Sequence, residues 1–254
     1  MKISKLPHLI AALLFLCLSA EAFSQTSLFS YEAYISEDGD TLKYRRLISD
    51  YDGISQYPLV IFLHGSGERG SDNEVQLKWG VSNFANDDIM KSHRPIVIAP
   101  QCPSGMSWDN SNEEDSTMKP EPSLPMKLLR GLISETLEKL PVDSNRIYIT
   151  GLSMGGYGTY DAMMRYPEVF AAAVPVCGDG DLSKAADIAH IPIWIFHGAR
   201  DGVVNPVLSQ KMVDALTKAG AHPGYTQYPE TGHFAWVAAY SDAMMMEWLF
   251  SQHK

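Results

Sequence analysis

The chain has 254 residues, of which 45% are hydrophobic and 20% are charged, and its formal net charge at pH 7 is -10. These proportions are typical of a folded globular protein and exclude a largely disordered one. The acidic excess argues against nucleic acid or an anionic membrane surface as a partner. Because a chain of this length can bury one substantial core, we expect a single folded domain.

The N-terminal residues have the pattern of a secretory signal peptide. Two lysines precede an apolar run at residues 9–20, and an Ala-x-Ala cleavage pattern follows at residues 20–22. The run is too short to cross a membrane as a helix. We therefore predict that residues 1–22 are removed and that residues 23–254 form the exported domain, periplasmic or extracellular and without stable membrane insertion.

Beyond this segment, β-branched apolar runs alternate with segments of helical periodicity. Several runs are apolar throughout, as expected for parallel strands that are covered on both faces. The alternation predicts an α/β fold with a doubly wound, mostly parallel sheet, and the first two runs flank an acidic turn that predicts an antiparallel N-terminal hairpin. The predicted strands are residues 31–35, 42–49, 59–64, 96–100, 146–150, 171–176, 193–197 and 225–228. The predicted helices are residues 128–140, 154–166, 205–219 and 240–250.

One long stretch, residues 101–125, is rich in proline and has neither a strand nor a helix period. Loops of this length inside a compact domain are usually functional or disordered, and this one leaves the end of a predicted strand, where α/β proteins bind ligands. We expect it to form a wall of a substrate cleft in which Trp108 offers an apolar platform. The alternative is a solvated loop whose tryptophan packs on the body of the protein.

The most informative pattern is Gly151-Leu152-Ser153-Met154-Gly155, which follows a β-branched run and precedes a helical segment. It is the pattern of a nucleophile elbow, a strand-turn-helix unit whose strained turn exposes a serine hydroxyl. Gly151 and Gly155 remove the side chains that would collide where the helix folds back on the strand. Ser153 is therefore the predicted nucleophile, and the backbone N–H of Met154 is a predicted oxyanion donor.

A serine hydroxyl becomes nucleophilic when a base accepts its proton and a third group orients that base. After a nucleophile elbow, the acid comes next along the chain and the histidine last. Asp201 follows the predicted strand 193–197, and His233 follows the last predicted strand. We predict that His233 transfers the proton and that Asp201 orients its imidazole. Phe234 and Trp236, in the same loop as His233, either line the pocket or pack in the core.

Other polar residues near these loops offer alternatives. Asp179 and Asp181 follow the predicted strand 171–176 and are rivals for the acid, although capping of the next turn and helix explains them as well. His64 and His197 each end a predicted strand beside a glycine. We expect both of these histidines to have a structural role, with the imidazole bonded to the backbone.

The glycine-rich turn at residues 64–70 supplies the second predicted oxyanion donor. We choose the backbone N–H of Ser66, with Gly67 as the next choice, because missing side chains let this backbone approach a substrate closely. Glu68 either pairs with Arg69 and braces the turn or contacts the substrate.

Export would leave two cysteines, Cys102 and Cys177, in a compartment where disulfides form. In the predicted sheet they follow strands that are not neighbours. Three strand spacings amount to roughly 14 Å, whereas bridged Cα atoms lie within about 7 Å of each other. We favour two free thiols, and a bridge formed by folded-over loops is the alternative.

Taken together, these segments resemble the α/β-hydrolase superfamily. More narrowly, they are similar to exported bacterial esterases of the phospholipase/carboxylesterase, feruloyl esterase and polyhydroxybutyrate-depolymerase-like types, which are related to dienelactone hydrolases and prolyl oligopeptidases. The resemblance implies a serine hydrolase that forms an acyl-enzyme and needs no metal or cofactor. Members often have a polar residue where Phe234 stands, which implies a more apolar pocket edge here. The resemblance is carried by residues 63–70, 99–103, 151–158 and 175–178 and by the loops of Asp201 and His233.

The predicted function is therefore that of an exported serine carboxylic-ester hydrolase. Its expected partners are short-chain or aromatic esters, either small molecules or groups linked to polysaccharide such as feruloyl and acetyl esters of plant cell walls. Two alternatives are a peptidase of the prolyl-oligopeptidase type and a non-catalytic binding domain on the same scaffold. We disfavour the peptidase because the segment before the first strand is too short for a gating propeller. We disfavour the binding domain because the serine, acid and histidine are all present.

Overall fold

The computed structural model describes residues 25–49, 52–112 and 114–254, so the predicted signal peptide lies outside the described residues. Within these ranges, one eight-stranded sheet carries a hydrophobic core on each face. No helix there combines the length and the apolar character that a membrane crossing requires. The strands are β1 (Ser30–Ile35), β2 (Thr41–Leu47), β3 (Tyr57–Leu63), β4 (Ile96–Pro100), β5 (Val142–Leu152), β6 (Ala172–Val176), β7 (Trp194–Gly198) and β8 (Gly224–Tyr228). The helices are α1 (Asp87–Ser92), α2 (Leu124–Lys139), α3 (Met154–Arg165), α4 (Pro206–Lys218), α5 (Ala235–Tyr240) and α6 (Ala243–Ser251).

The sheet has the strand order β1-β2-β4-β3-β5-β6-β7-β8. The pairs β1–β2 and β2–β4 are antiparallel, and the other neighbours are parallel. This topology confirms the predicted α/β-hydrolase fold with its antiparallel N-terminal hairpin. Because β3 and β5 to β8 run in the same direction, the loops that follow them meet at one edge of the sheet.

Helices on both faces explain why the central strands are apolar throughout. Alternate residues of β3 enter different cores. Leu59 and Ile61 pack in the core that contains α2, α3 and α4, whereas Val60 and Phe62 pack in the core that contains α1, α5 and α6. The two faces therefore hold the carboxyl ends of the strands rigidly in place.

The helix predicted at residues 240–250 corresponds to α6 (Ala243–Ser251), and two helices share this apolar segment because α5, which was not predicted, precedes it. The first, α5, ends at Tyr240, and the backbone N–H of Ser241 donates to the Ala238 carbonyl at 3.2 Å. The carboxylate of Asp242 then accepts the N–H of Met244 at 2.8 Å and starts α6. A local N-cap thus divides a segment that is apolar enough to appear continuous.

The two described cysteines are buried free thiols, as we favoured from the sequence. Cys102 follows β4 and Cys177 follows β6, and strands β3 and β5 lie between them in the sheet. The two cysteines are thus three strand spacings apart in the sheet, as expected from the sequence.

Candidate active site

Ser153 lies in a strained turn between β5 and α3. Its backbone has φ 53° and ψ -118°, a conformation that non-glycine residues rarely adopt. A Cβ atom on Gly155 would lie 1.9 Å from the Leu63 carbonyl oxygen, and one on Gly151 would lie 2.3 Å from the Gly155 carbonyl oxygen. The glycines are therefore required by the close approach of helix and strand, as the pattern predicted.

His233 and Asp201 meet Ser153 at this edge of the sheet. Nε2 of His233 lies 2.9 Å from the Ser153 hydroxyl oxygen, and Nδ1 lies 2.7 Å from Oδ2 of Asp201. Since the carboxylate can only accept, Nδ1 carries the imidazole proton and Nε2 is left as an acceptor for the serine hydroxyl. The structure thus brings together the three residues that the sequence predicted as nucleophile, base and acid.

Asp201 is held as an anion by hydrogen bonds. Burial raises the pKa of this carboxyl group, but the bonds from His233 and from the backbone of Val204 and Val203 outweigh it, so the pKa is lowered from its ordinary value. The backbone N–H groups of Val203 and Val204 donate to Oδ1 at 2.8 Å and 2.9 Å. Oδ2 consequently remains available to the imidazole of His233.

The two predicted oxyanion donors follow neighbouring strands. The elbow begins α3 at Met154, and the glycine-rich turn forms a short 3-10 helix over Ser66–Glu68. Helix geometry leaves the first N–H groups of such elements without intrahelical partners. Leu63 of β3 pairs with Gly151 of β5, which brings the two turns side by side. The predicted donors Met154 and Ser66 therefore each lie at the start of a helical turn that follows one of these paired strands.

Glu68 is buried behind this turn and does not pair with Arg69. Its side chain is hydrogen-bonded to Trp79, and Arg69 instead donates to the Met106 and Ser66 carbonyls. Burial raises the pKa of the Glu68 carboxyl group above its usual value, although the nearby charge of Lys78 and the bond to Trp79 oppose this. Glu68 therefore braces the turn from inside, with a partner that the sequence did not indicate.

The rival acids are engaged elsewhere. Asp179 accepts a hydrogen bond from the Ser116 hydroxyl at 2.6 Å. Asp181 caps the following 3-10 helix through the N–H of Ser183 at 2.9 Å, and its other oxygen accepts the N–H of Met118 at 2.9 Å. Both aspartates thus tie the loop after β6 to the segment that holds Ser116 and Met118, but only Asp181 has the capping role that the sequence offered as the alternative.

His64 is structural in this fold. Burial lowers its pKa to about 4, so the imidazole is neutral at physiological pH. Its Nε2 accepts the backbone N–H of Cys102 at 2.9 Å, and Nδ1 contacts the Gly65 carbonyl at 2.6 Å. These bonds link the ends of β3 and β4.

Trp108 is not the apolar platform of a cleft wall that we expected; the alternative is confirmed, since the tryptophan packs on the body of the protein. Its side chain is fully buried, its indole N–H donates to the His64 carbonyl at 3.1 Å, and its ring stands edge-on to the His64 imidazole. A Cβ atom on Gly158 would lie 2.4 Å from Cβ of Trp108, so α3 accepts the tryptophan only because glycine stands there. The tryptophan anchors the 101–123 loop to the body of the protein.

Aromatic side chains cover one side of the site. Trp236 is buried, and its ring stands edge-on to the His233 imidazole with centroids 5.0 Å apart. Phe234, which is 56% exposed, lies 4.8 Å from Trp236 and 5.8 Å from Trp79. We call Trp79, Phe234 and Trp236 the aromatic wall. Phe234 is thus its solvent-facing edge, and Trp236 is its inner part.

On the other side of the elbow lies a polar cleft of about 830 Å³, into which Met154 and Tyr157 project. Burial raises the pKa of Tyr157 to about 12, with the negative charges of Asp179 and Asp109 acting in the same direction. Its hydroxyl group is therefore a neutral donor at physiological pH. The remainder of the lining includes Arg69, Asp109, Ser111, Ser116, Asp179 and Lys211.

The chain is similar in sequence and fold to known proteins. Residues 53–246 match the family described as phospholipase/carboxylesterase. The chain belongs to this family. The match confirms the predicted class of enzyme at the level of the family, which consists of hydrolases that act on esters.

The curated proteins that are similar to this chain in sequence include an esterase and a depolymerase. The chain is 26% identical to a bifunctional acetylxylan esterase/xylanase of Neocallimastix patriciarum over 58% of its own length and 20% of the relative's length. It is 26% identical to poly(3-hydroxyalkanoate) depolymerase C of Paucimonas lemoignei over 68% of its own length and 47% of the relative's length. The chain thus spans less than half the length of either protein.

Two solved structures of esterases have the same fold as this chain. A thermostable esterase superposes with a TM-score of 0.84 and 38% identity over 90% of this chain and 64% of that one. A ferulic acid esterase superposes with a TM-score of 0.67 over 87% of this chain and 97% of that one, but at 15% identity it supports the fold alone.

Two residues of the site were not found from the sequence. Trp79 lies in the long connection between β3 and β4. A single tryptophan beside a glycine is too weak a pattern to identify a residue of the site. Tyr157 is four residues beyond Ser153 on α3, so helix periodicity places it on the same side of the helix as the elbow. That spacing was available from the sequence and could have identified it.

Cys177, Asp201 and His233 present a sulfur, an oxygen and a nitrogen that all lie within 4.8 Å of one another. These are metal-ligand atom types, but His233 and Asp201 already bond to each other, and burial raises the pKa of the Cys177 thiol to about 12. A metal here would have to break the contact between base and acid. We therefore assign no metal to this cluster.

Proposed function

We propose that this protein is an exported serine carboxylic-ester hydrolase with Ser153, His233 and Asp201 as its catalytic residues. The observation that carries the proposal is the pair of contacts made by the His233 imidazole, at 2.9 Å to the Ser153 hydroxyl and 2.7 Å to the Asp201 carboxylate. Such a relay lets a neutral imidazole accept the serine proton and share the resulting charge with a carboxylate.

In the proposed reaction, Ser153 attacks the ester carbonyl carbon while His233 accepts the hydroxyl proton. The N–H groups of Met154 and Ser66 stabilise the oxyanion that forms. His233 then gives its proton to the departing alkoxide, which leaves an acyl group on Ser153. Water, deprotonated by the same imidazole, releases the acid in the second half of the reaction.

The two sides of the site suggest the two parts of the substrate. The aromatic wall, with its exposed edge at Phe234, suits an apolar or aromatic acyl group. The polar cleft, with the hydroxyl groups of Tyr157, Ser111 and Ser116, suits a hydroxylated alcohol such as a sugar. Together with the relatives described above, these features support short-chain or aromatic esters, including acetyl and feruloyl groups on polysaccharide.

Export and the domain boundary belong to the proposal as well. The basic, apolar and Ala-x-Ala pattern of residues 1–22 supports a cleaved signal peptide and a mature domain of residues 23–254. N-terminal sequencing of protein recovered from the periplasm or the medium tests this directly, with Phe23 as the expected first residue. Recovery of protein that still begins at residue 1 contradicts it.

The test of the catalytic proposal is Ser153→Ala with Ser251→Ala, an exposed serine at the end of α6, as the matched control. We expect Ser153→Ala to reduce kcat on p-nitrophenyl acetate by about a thousandfold or more, with an unchanged melting temperature. The control should keep wild-type turnover. Retained turnover in Ser153→Ala contradicts the proposal.

Substrate specificity requires a panel of compounds. p-Nitrophenyl esters of increasing chain length, methyl ferulate and acetylated xylan separate the candidate acyl and alcohol groups. A p-nitroanilide of the preferred acyl group tests the peptidase alternative, since an amide has a poorer leaving group that needs firm protonation. Comparable turnover of the amide and the ester would favour the peptidase.

A further inference from the structure

Cys177, the first residue after β6, has an unusual backbone. Its φ is 50°, in the left-handed region, although it carries a side chain. This conformation costs energy for any residue except glycine, and such outliers persist where the surroundings impose them. If the turn alone mattered here, glycine would serve better. A property of the side chain therefore has to explain why cysteine occupies the position.

The cysteine joins three segments that surround the proposed catalytic pair. Its backbone N–H donates to the Phe196 carbonyl of β7 at 2.9 Å. Its Sγ lies 3.5 Å from the His233 carbonyl oxygen, which the S–H group can reach as a donor. The same sulfur belongs to the cluster with the Asp201 carboxylate and the His233 imidazole within 4.8 Å.

The thiol also stays neutral in this position. Burial raises its pKa to about 12, with the Asp201 charge acting in the same direction, while hydrogen bonds from the backbone of Gly198 and Ala235 act in the opposite one. A neutral S–H group can donate to the His233 carbonyl without adding charge beside Asp201. By geometry, the sulfur contacts the His233 loop through the His233 carbonyl and lies within 4.8 Å of the Asp201 carboxylate in the loop after β7.

We propose that Cys177 is a positioning residue, whose thiol fixes the backbone of the His233 loop against the end of β7 and keeps the imidazole between Ser153 and Asp201. This inference rests on the proposed function of that triad. Cys177 touches no substrate in this scheme and acts only through His233 and Asp201.

The chain provides a matched control in Cys102, the other buried thiol. Burial also raises the pKa of the Cys102 thiol to about 12, with the nearby charge of Arg69 opposing it, and no contact joins this thiol to Ser153, Asp201 or His233 among the described residues. Cys102→Ala therefore measures the loss of a buried sulfur away from the triad. Cys177→Ala removes the sulfur at the triad. Cys177→Gly also removes it, and glycine adopts the left-handed backbone conformation without strain.

We expect Cys177→Ala and Cys177→Gly to lower kcat by about fivefold to tenfold, the effect of one neutral hydrogen bond, with KM changed less than about twofold. The acidic limb of the pH profile of kcat/KM should shift in both variants, because the imidazole environment changes. Cys102→Ala should lower the melting temperature similarly and leave kcat and the pH profile unchanged. Cys177→Ser, which keeps a hydroxyl donor, should lie between wild type and Cys177→Ala.

The inference is overturned if Cys177→Ala and Cys177→Gly keep wild-type kcat and pH profile, or if Cys102→Ala lowers kcat as much as they do. If Cys177→Ala does not fold, Cys177→Gly, which also removes the donor, decides through kcat and the same pH profile, and wild-type values in that variant overturn the inference. Ser153→Ala, assayed in parallel, separates the two proposals. Turnover in Ser153→Ala refutes the catalytic proposal and this inference together. If Ser153→Ala is inactive and the Cys177 variants have the kcat and pH profile of the wild-type protein, only the inference is refuted.

Discussion

The buried imidazole of His197 contacts the carboxylate of Asp201, with Nε2 lying 3.2 Å from Oδ2. Nε2 also lies 3.0 Å from the Val204 carbonyl oxygen, and Nδ1 lies 2.7 Å from the Ser209 hydroxyl oxygen. Because both neighbours of Nε2 are acceptors, this nitrogen carries the proton. Burial lowers the pKa of His197, so the ring stays neutral. Asp201 is thus held between two imidazoles, of which His197 is the structural one, as the sequence analysis expected.

The assignment of the acid predicts different outcomes for two aspartates. Asp201→Asn should lower kcat by about a thousandfold or more, because an amide favours the wrong tautomer of His233. Asp179→Asn, which alters a carboxylate that accepts from Ser116, should lower kcat far less. Steady-state kinetics on p-nitrophenyl acetate measures both. The reverse ranking would move the acid to the loop after β6.

The elbow predicts a severe packing defect in Gly155→Ala. The added Cβ would lie 1.9 Å from the Leu63 carbonyl oxygen, and neither α3 nor β3 can move without disturbing the core. We expect a loss of about 3 kcal/mol or more in the free energy of unfolding. Urea denaturation measures it. Gly202→Ala is the control, since no atom of the structure lies within 4 Å of its added Cβ, and equal stability of the two variants would contradict the prediction.

The aromatic wall predicts a change in acyl preference. Phe234→Ala removes an exposed ring that contacts Trp79 and Trp236. We expect kcat/KM for methyl ferulate to fall by about threefold to tenfold, the usual effect of one aromatic contact, with a smaller change for p-nitrophenyl acetate. Met244→Ala, at a residue that is 72% exposed on α6, is the control. Equal losses on the two substrates would argue against an acyl site at this wall.

The buried carboxyl group of Glu68 predicts a pH-dependent stability. Its pKa in the folded state is raised, mainly by burial, so its stabilising contribution is complete below the unfolded pKa and is lost as pH rises through the folded pKa. Glu68→Gln has no titrating group there. Between about pH 4 and pH 7, the melting temperature of Glu68→Gln should therefore rise relative to wild type. A difference that does not vary with pH would contradict the raised pKa.

Much of this arrangement was predictable because the local and global signals agree. The glycines around Ser153 fit only a tight strand-turn-helix unit, and the loops of Asp201 and His233 follow parallel strands that end at the same edge. Once the parallel sheet is recognised, the meeting of these three residues follows from topology. The helix boundaries near the C-terminus were harder, because only Ser241 and Asp242 separate two apolar runs and the cap at Asp242 is a single side-chain hydrogen bond.

The contacts that could not be predicted join segments distant in sequence. The sequence left open whether Trp108 lines a cleft or packs on the body, and its burial depends on the missing side chain at Gly158, which lies far along the chain. The partner of Glu68 is Trp79, and no spacing in the sequence relates the two. Such contacts depend on how the loops fold over the sheet. The periodicity of apolar residues predicts helices and strands and gives no information about these loops.

The unlinked state of Cys102 and Cys177 has a consequence for how the domain matures. No disulfide joins the two described cysteines, so the fold of the described residues requires neither an oxidant nor a disulfide isomerase. We expect the same melting temperature with and without dithiothreitol. Recombinant production in a reducing cytoplasm should therefore give the same native protein as production in an oxidising compartment.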